Sequence, residues 1–135
     1  MAARVIFVDA NIPMYLIGAP HPNRQRGSLL IRQVEQLGVP LVTDAEVFQE
    51  ICHRYSAQGR REFIQPGFDA LSQLTDHVFP IEFRNVQDAK DLMASHRQVS
   101  ARDALHVAVM RHHGVEQVMS FDSGFDAIPG IHRLA

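Results

Sequence analysis

Short apolar runs alternate along this chain with longer stretches that are apolar on one side only. The runs are rich in β-branched and aromatic residues, as is typical of strands buried on both faces of a parallel sheet. They occupy positions 5–8, 39–42, 77–81 and 115–120, with a last short strand expected around 131–132. Strands that alternate with helices predict an α/β fold, a three-layer α/β/α sandwich around a mainly parallel central sheet.

The stretches between these runs predict six helices. They cover 12–17, a segment from a cap near 23 to 37, 43–56, a segment ending near 74 with a bend at 66–67, 85–95 and 101–113. Thr43 is expected to cap the third helix, with Glu46 as its capping-box partner. Gly38 and Gly114 are placed to end helices. Pro80 favours an edge position for the third strand.

Composition limits the class of protein. A chain of 135 residues with 46% hydrophobic residues predicts one domain, 1–135, with a substantial core. The sequence has no run near the roughly 18 apolar residues of a membrane span, and no secretory leader is recognisable. A lone cysteine, Cys52, excludes an internal disulfide framework and fits a reducing cytoplasm. A cytoplasmic protein without membrane contact is therefore expected.

The charge distribution matters more than the total. A net charge of −2 gives no overall basic surface for nucleic acid. Lys90 is the only lysine, so the remaining basic side chains are arginines, which suit bidentate phosphate contacts. Any contact with nucleic acid must come from a local patch.

Two carboxylates follow predicted strands. Asp9 comes directly after the first strand, with Asn11 as a further polar group at the same rim, and Asp122 follows the fourth strand. In open parallel sheets, ligands bind beyond the carboxyl ends of the strands. Taken singly, Asp9 could instead cap a helix and Asp122 could belong to a turn. As a pair, they predict a site at one edge of the sheet.

Three further acidic residues lie in predicted helices. Glu46 and Glu50 follow the second strand, and Asp103 lies in the first turn of the helix capped by Ser100. Glu46 has a structural role in the capping box, whereas Glu50 lies among apolar residues, where an unpaired charge is costly to bury. Glu50 is therefore the favoured ligand, with Glu46 as the alternate or supporting residue. Asp103 could also act only on the helix dipole, and Asp126 is a weaker outer candidate.

Carboxylates that converge repel one another unless they are protonated or neutralised. A divalent cation removes this repulsion, and oxygen ligands favour Mg²⁺ or Mn²⁺ over zinc. No histidine is assigned a catalytic role. His106 follows Asp103 by one helical turn and is expected to pack in the core or to support the site from outside.

The order and spacing of four short motifs resemble the PIN-domain ribonucleases found as VapC-type toxins in prokaryotic toxin–antitoxin pairs. The motifs are Val8-Asp9-Ala10-Asn11, Phe48-Gln49-Glu50-Ile51, 100–106 (SARDALH) and 120–125 (SFDSGF). The resemblance extends over nearly the whole chain. It implies a metal-dependent endoribonuclease whose acidic residues bind Mg²⁺ or Mn²⁺. The family's acidic quartet would be Asp9, Glu50, Asp103 and Asp122, supported by Asn11 and Ser120.

The same resemblance implies partners. An RNA substrate, a cognate antitoxin that covers the acidic cleft and a homodimer are expected. Four arginines, Arg54, Arg60, Arg61 and Arg102, lie near the expected site and could bind RNA phosphates. Alternatively, these arginines are only solvated helix ends.

Two other functions compete with this one. A non-catalytic PIN-fold binding module for RNA or protein would keep the acidic pocket without turnover. A phosphatase would need a second aspartate where Asn11 stands, and a receiver domain would need a lysine after a late strand, whereas Lys90 lies in a polar helix. Metal-dependent RNA cleavage separates the nuclease from all of these.

Overall fold

The structure is a computed structural model that describes residues 4–135, so the first three residues of the predicted domain lie outside the described range. The strands are β1 Ile6–Val8, β2 Leu41–Asp44, β3 His77–Phe79, β4 Gln117–Met119 and β5 His132–Leu134. The helices are α1 Asn11–Ile17, α2 Pro22–Gln36, α3 Ala45–Ala57, α4 Ile64–Leu74, α5 Phe83–Ser95 and α6 Ala101–His112. Two short 3₁₀ turns cover Arg61–Phe63 and Ser123–Ala127.

The strands form one sheet in the order β3-β2-β1-β4-β5, and every pairing is parallel. This confirms the predicted α/β class and the edge position of β3. The chain runs outward from β1 in one direction through β2 and β3, then in the other through β4 and β5. Such a reversal of strand order creates a crevice at the carboxyl ends of the central strands.

The core lies on both faces of β1. Phe7 and Val8 are fully buried, which explains the continuous apolar run. On one side α1, α2, α3 and α4 pack against one another, and α5 packs against α6 on the other. As predicted, α6 is apolar around most of its surface: its buried residues include Val107 and Met110.

The end of β2 differs from the prediction. The strand continues to Asp44, so Thr43 is a strand residue whose hydroxyl donates to the Val8 carbonyl at 3.0 Å. Asp44, and not Thr43, caps α3 by accepting from the Val47 amide at 2.9 Å. The predicted capping box of Thr43 and Glu46 was therefore wrong. A β-branched threonine can stay in a buried strand because its hydroxyl bonds to the neighbouring strand.

The starts of α2 and α4 add detail to the prediction. His21, two residues before position 23, caps α2, and its Nδ1 accepts from the Asn23 amide at 3.0 Å. Pro66 falls in the first turn of α4, where its missing N–H removes no helical hydrogen bond. Gly67 allows α4 to approach α3 closely, because a Cβ there would lie 2.9 Å from Ile51 Cγ2.

Within residues 4–135, none of the helices combines the length and the apolar character that crossing a bilayer requires.

Candidate active site

A cleft of about 390 Å³ opens at the carboxyl edge of the sheet, and all four carboxylates of the predicted quartet line it. Asp9 follows β1, Glu50 lies in α3, Asp103 lies in the first turn of α6, and Asp122 follows β4. Strands β1 and β4 are hydrogen-bonded neighbours, so their carboxyl ends meet at this edge. The fold thus brings the four acidic side chains into one cleft, called the acidic cleft below.

Asp9 is held in one orientation by three hydrogen bonds. Its Oδ2 accepts from the Ser120 hydroxyl at 2.7 Å and from Asn11 Nδ2 at 3.4 Å, and its Oδ1 accepts from the Ala10 amide at 2.8 Å. Asp9 is only 3% exposed to solvent. Burial raises the pKa of Asp9, although His106 and the Ser120 hydrogen bond act in the opposite direction. The raised pKa means that the positive charge near Asp9 does not fully compensate the burial of its ionised carboxylate.

Ser120 joins the end of β4 to the end of β1. Besides donating to Asp9, its hydroxyl accepts from the Asp122 amide at 3.0 Å and from Asn11 Nδ2 at 3.1 Å. Asn11 in turn accepts from the Phe121 amide at 3.2 Å. The two predicted supporting residues therefore fix the loop that carries Asp122 against the strand that carries Asp9.

Asp103 and Asp122 form a close carboxyl pair. Burial, together with the charge and hydrogen bond of Asp122, raises the pKa of Asp103 to about 7. Gly124 leaves room beside this pair, because a Cβ there would lie 3.1 Å from Asp103 Oδ2 and 3.1 Å from Asp122 Oδ1. At neutral pH without a cation, one proton is therefore partly retained between these two carboxyls.

The two candidate glutamates take different places. Glu50 is buried and lines the acidic cleft, whereas Glu46 does not line it. Arg102 Nε lies 3.8 Å from a carboxylate oxygen of each glutamate, so Arg102 connects Glu46 to the site. Arg54 Nη1 lies 3.6 Å from Glu50 Oε2 on the other side.

Sequence reasoning missed a buried ion pair behind Glu50. His106 Nδ1 lies 2.8 Å from Asp44 Oδ2, and both side chains are fully buried. Burial alone would lower the pKa of His106, but the carboxylates of Asp44, Glu50 and Asp9 outweigh it and raise this pKa to about 10. His106 is therefore a cation at neutral pH and partly neutralises the acidic residues around it.

The second ring nitrogen of His106 faces Glu50. Its Nε2 lies 3.5 Å from Glu50 Oε1, which is too long for a well-formed hydrogen bond. Of the buried side-chain nitrogens and oxygens in residues 4–135, this atom alone lacks a hydrogen-bond partner. Asp44 is the last residue of β2, and Asp9 comes directly after β1. This position at the carboxyl end of a strand is the sequence signal that could have identified Asp44 as part of the site. The predicted β2 stopped two residues too early.

The donor set fits a divalent cation. Ligand atoms of Asp9, Glu50 and His106 all lie within 4.8 Å of one another. The raised pKa values of Asp9 and Asp103 mark carboxylates that a cation would neutralise. His106 Nδ1 is engaged by Asp44 and its Nε2 lies 3.5 Å from Glu50 Oε1, so the ring fits the site as a neighbour that supports Glu50. The four carboxylates of the acidic cleft are then the candidate ligands, and all of them offer oxygen atoms.

Some predicted site residues lie elsewhere. Asp126 forms a two-pronged pair with Arg133 at 2.9 and 3.0 Å and does not line the acidic cleft. Arg60 lines a second cleft of about 600 Å³, called the adjoining cleft below. Arg61 is exposed in the turn before α4 and lines neither cleft.

Comparisons with known proteins agree with this geometry. The model of the PIN domain family matches residues 6–131 of the chain. Ribonuclease VapC13 of Mycobacterium tuberculosis is 55% identical over 131 residues, which cover 97% of this chain and 100% of that protein.

Two solved structures share the fold at lower sequence identity. VapC20 of Mycobacterium tuberculosis, described as a Sarcin-Ricin loop cleaving toxin, has a TM-score of 0.69 at 20% identity and covers 90% of this chain and 93% of its own. The VapBC2 structure from Rickettsia felis, bound to a DNA fragment from its promoter, has a TM-score of 0.69 at 15% identity. That match covers 96% of this chain and 97% of the other.

Proposed function

This chain belongs to the PIN-domain family, among its VapC ribonucleases, and we propose that it is the endoribonuclease toxin of a toxin–antitoxin pair, dependent on Mg²⁺ or Mn²⁺. The observation that carries the proposal is the acidic cleft, which Asp9, Glu50, Asp103 and Asp122 line together. A relative named as a ribonuclease, identical at 55% of positions over nearly the whole chain, supports the same activity.

Asp9, Glu50, Asp103 and Asp122 would hold the cation. A bound divalent cation supplies Lewis-acid chemistry, since it offsets phosphate charge and lowers the pKa of a water molecule. The residues of the chain prepare the site for it. Ser120 and Asn11 orient Asp9, and Gly124 leaves room beside Asp103 and Asp122.

His106 acts as a positioning residue for Glu50. Its Nδ1 is anchored on Asp44, and its positively charged Nε2 faces Glu50 Oε1 at 3.5 Å. This contact directs the Glu50 carboxylate into the acidic cleft. Replacing a group that supports a metal ligand in this way commonly costs about 10- to 100-fold in metal affinity or activity.

Partners and location follow from the same family membership. We infer a cognate antitoxin that covers the acidic cleft, a homodimer and a cytoplasmic location. The VapBC2 structure of similar fold supports the antitoxin. Four arginines are assigned to RNA phosphates: Arg54, Arg60, Arg61 and Arg102. Of these, Arg54 lines both clefts and Arg102 contacts Glu50, so these two lie beside the carboxylates.

The test is cleavage of a mixed RNA pool by the purified protein with Mg²⁺, with Mn²⁺ and with EDTA. We expect cleavage with either metal, none with EDTA, and none by Asp9→Asn, which should keep the fold because asparagine has nearly the same shape. Normal cleavage by this variant would refute the site assignment. Metal binding without cleavage of any RNA would instead favour a PIN-fold binding module.

A further inference from the structure

We propose that the adjoining cleft is a subsite for one nucleotide of single-stranded RNA, next to the phosphate that is cut, with its base stacked on Tyr15 and His21. The proposal rests on the proposed function, because it assigns part of the substrate to that same site. It adds a base-binding surface to a site so far described by carboxylates and arginines.

The two clefts are adjacent. Asn11, Tyr15 and Arg54 line both of them, so a nucleotide next to the one in the acidic cleft is within reach of the adjoining cleft. The volume of the adjoining cleft is about 600 Å³, which is within the usual range of about 300–1,000 Å³ for small-molecule sites. This space is sufficient for a nucleotide.

The wall of the adjoining cleft carries a fixed aromatic surface. The ring centroids of Tyr15 and His21 lie 4.8 Å apart with an interplanar angle of 35°, and Phe121 supports the Tyr15 ring edge-on at 5.6 Å. The hydrogen bond from the Asn23 amide holds the His21 ring. Aromatic rings held in this way provide a stacking surface for an unpaired base at small entropic cost.

The charge of the adjoining cleft suits a polyanion. Arg54 and Arg60 line it, and none of its lining residues in the described part of the chain is acidic. Gln58, also in the lining, offers an amide that can donate to or accept from a base edge. Arg60, and Arg54 where it extends from its pair with Glu50, give the adjoining cleft a positive charge next to the acidic cleft, which favours RNA over an apolar protein segment as the occupant.

Stacking of this kind is tolerant of sequence, since every base has an aromatic face. The subsite would therefore select for an unpaired, splayed nucleotide more strongly than for a particular base. Bases within an RNA duplex are stacked on their neighbours and cannot reach such a surface. We expect single-stranded or loop RNA to bind in preference to duplex.

The experiment compares two labelled probes on the full-length Asp9→Asn variant in Mg²⁺ by fluorescence anisotropy. One is an oligouridylate of about ten nucleotides, and the other is a ribose-phosphate chain of the same length without bases. Their phosphate charges are equal, so the ratio of their dissociation constants measures the contribution of the bases. We expect the oligouridylate to bind about tenfold more tightly.

Two added substitutions remove the stacking surface, and one control keeps it. Tyr15→Leu removes one ring, and His21→Asn removes the other while keeping a side chain that can cap α2. Each should bring the ratio of dissociation constants down toward one, mainly by weakening oligouridylate binding. Tyr15→Phe keeps the ring and should keep the ratio. Circular dichroism checks that each variant is folded.

Equal binding of the two probes before these substitutions, or a ratio that survives in both ring-removing variants, would overturn the subsite. The subsite would also be overturned if the ring-removing variants bound the oligouridylate normally but lost affinity for the purified antitoxin. The adjoining cleft would then be a binding site for a protein. Failure of the proposed function is read separately, from RNA cleavage by the unsubstituted chain. If that chain cuts no RNA but the ratio behaves as expected, the subsite stands without the nuclease.

Discussion

His106 donates a hydrogen bond to Asp44 over 2.8 Å, and neither side chain is exposed to solvent. Asp44 also caps α3 through the Val47 amide, so this pair ties the start of α3 to the middle of α6. Glu50 lies on α3 and Asp103 on α6, which makes the separation of these two carboxylates dependent on a contact buried behind them.

We expect His106→Asn to weaken metal binding. Its amide can take the place of the ring Nδ1 and keep the bond to Asp44, but it has no atom at the position of Nε2 near Glu50. The metal concentration that gives half-maximal RNA cleavage should rise by about 10- to 100-fold. An unchanged metal requirement would show that the contact with Glu50 has no role in positioning.

The matched variant, His106→Gln, should behave differently. Its longer side chain can reach the position of Nε2 but leaves the Asp44 carboxylate without its buried partner. Its main effect should be a loss of folding stability of about 1–3 kcal/mol, the usual cost of an unsatisfied buried polar group. Thermal unfolding of both variants, beside the metal titrations, separates the two roles of the ring.

The pKa of Asp103 predicts how metal-free stability depends on pH. This pKa is raised from an ordinary value of 3.8 to about 7 in the folded protein, mainly by burial and by Asp122. The folded state therefore binds the proton more tightly than the unfolded state. The corresponding stability is fully present below pH 3.8 and is lost as the pH rises through about 7.

Asp103→Asn removes this dependence. In EDTA, the melting temperature of the variant relative to the unsubstituted protein should be higher at pH 8 than at pH 5. At pH 8 the variant no longer has a buried negative charge beside Asp122, and at pH 5 the unsubstituted carboxyl is already protonated. The same difference at both pH values would contradict the raised pKa.

Gly67 should be intolerant of a side chain. A Cβ there would lie 2.9 Å from Ile51 Cγ2, so Gly67→Ala should push α4 from α3 and cost about 1–3 kcal/mol of stability. Gly27 is the matched control, because it is also inside a helix but a Cβ there would find its nearest neighbour at 3.7 Å. Gly27→Ala should be neutral or stabilising by up to about 1 kcal/mol.

Denaturant unfolding of Gly67→Ala and Gly27→Ala gives the free energies directly. Equal effects of the two substitutions would mean that the close approach of α4 to α3 is readily relaxed.

The two neighbouring arginines should differ in RNA binding. Arg60 lines the adjoining cleft, whereas Arg61 is exposed outside both clefts. If Arg60 contacts one phosphate of a single strand, Arg60→Gln should reduce the slope of log affinity against log salt by about 0.7. Arg61→Gln should change the slope less. An unchanged slope in both variants would remove this pair from the RNA footprint.

The strand-end rule predicted much of the site. Asp9 and Asp122 were placed together because they follow strands, and the parallel pairing of β1 with β4 brings their carboxyl ends to the same edge. Glu50 was favoured over Glu46 because a glutamate among apolar residues needs a reason to be there, and it is Glu50 that lines the acidic cleft. These predictions needed only local patterns and the direction of the strands.

The contacts between distant helices could not be predicted in this way. Asp44 and His106 are separated by 62 positions, and their contact depends on how α6 packs beside β2. The sequence pattern also placed Asp126 near the site, whereas its position is set by Arg133 on β5. In both cases tertiary packing decides which partner the charged side chain meets. The sequence around that side chain does not indicate this partner.

The hydrogen bond between Ser120 and Asp9 joins residues that are 111 positions apart in the chain. During translation, Asp9 emerges from the ribosome long before the residues that orient it. The growing chain therefore has no assembled cutting site until β4 and the turn with Asp122 have been synthesised and the sheet has closed. A chain interrupted before residue 120 therefore lacks the hydrogen bond that orients Asp9, and cleavage that depends on this orientation starts only after β4 has been made.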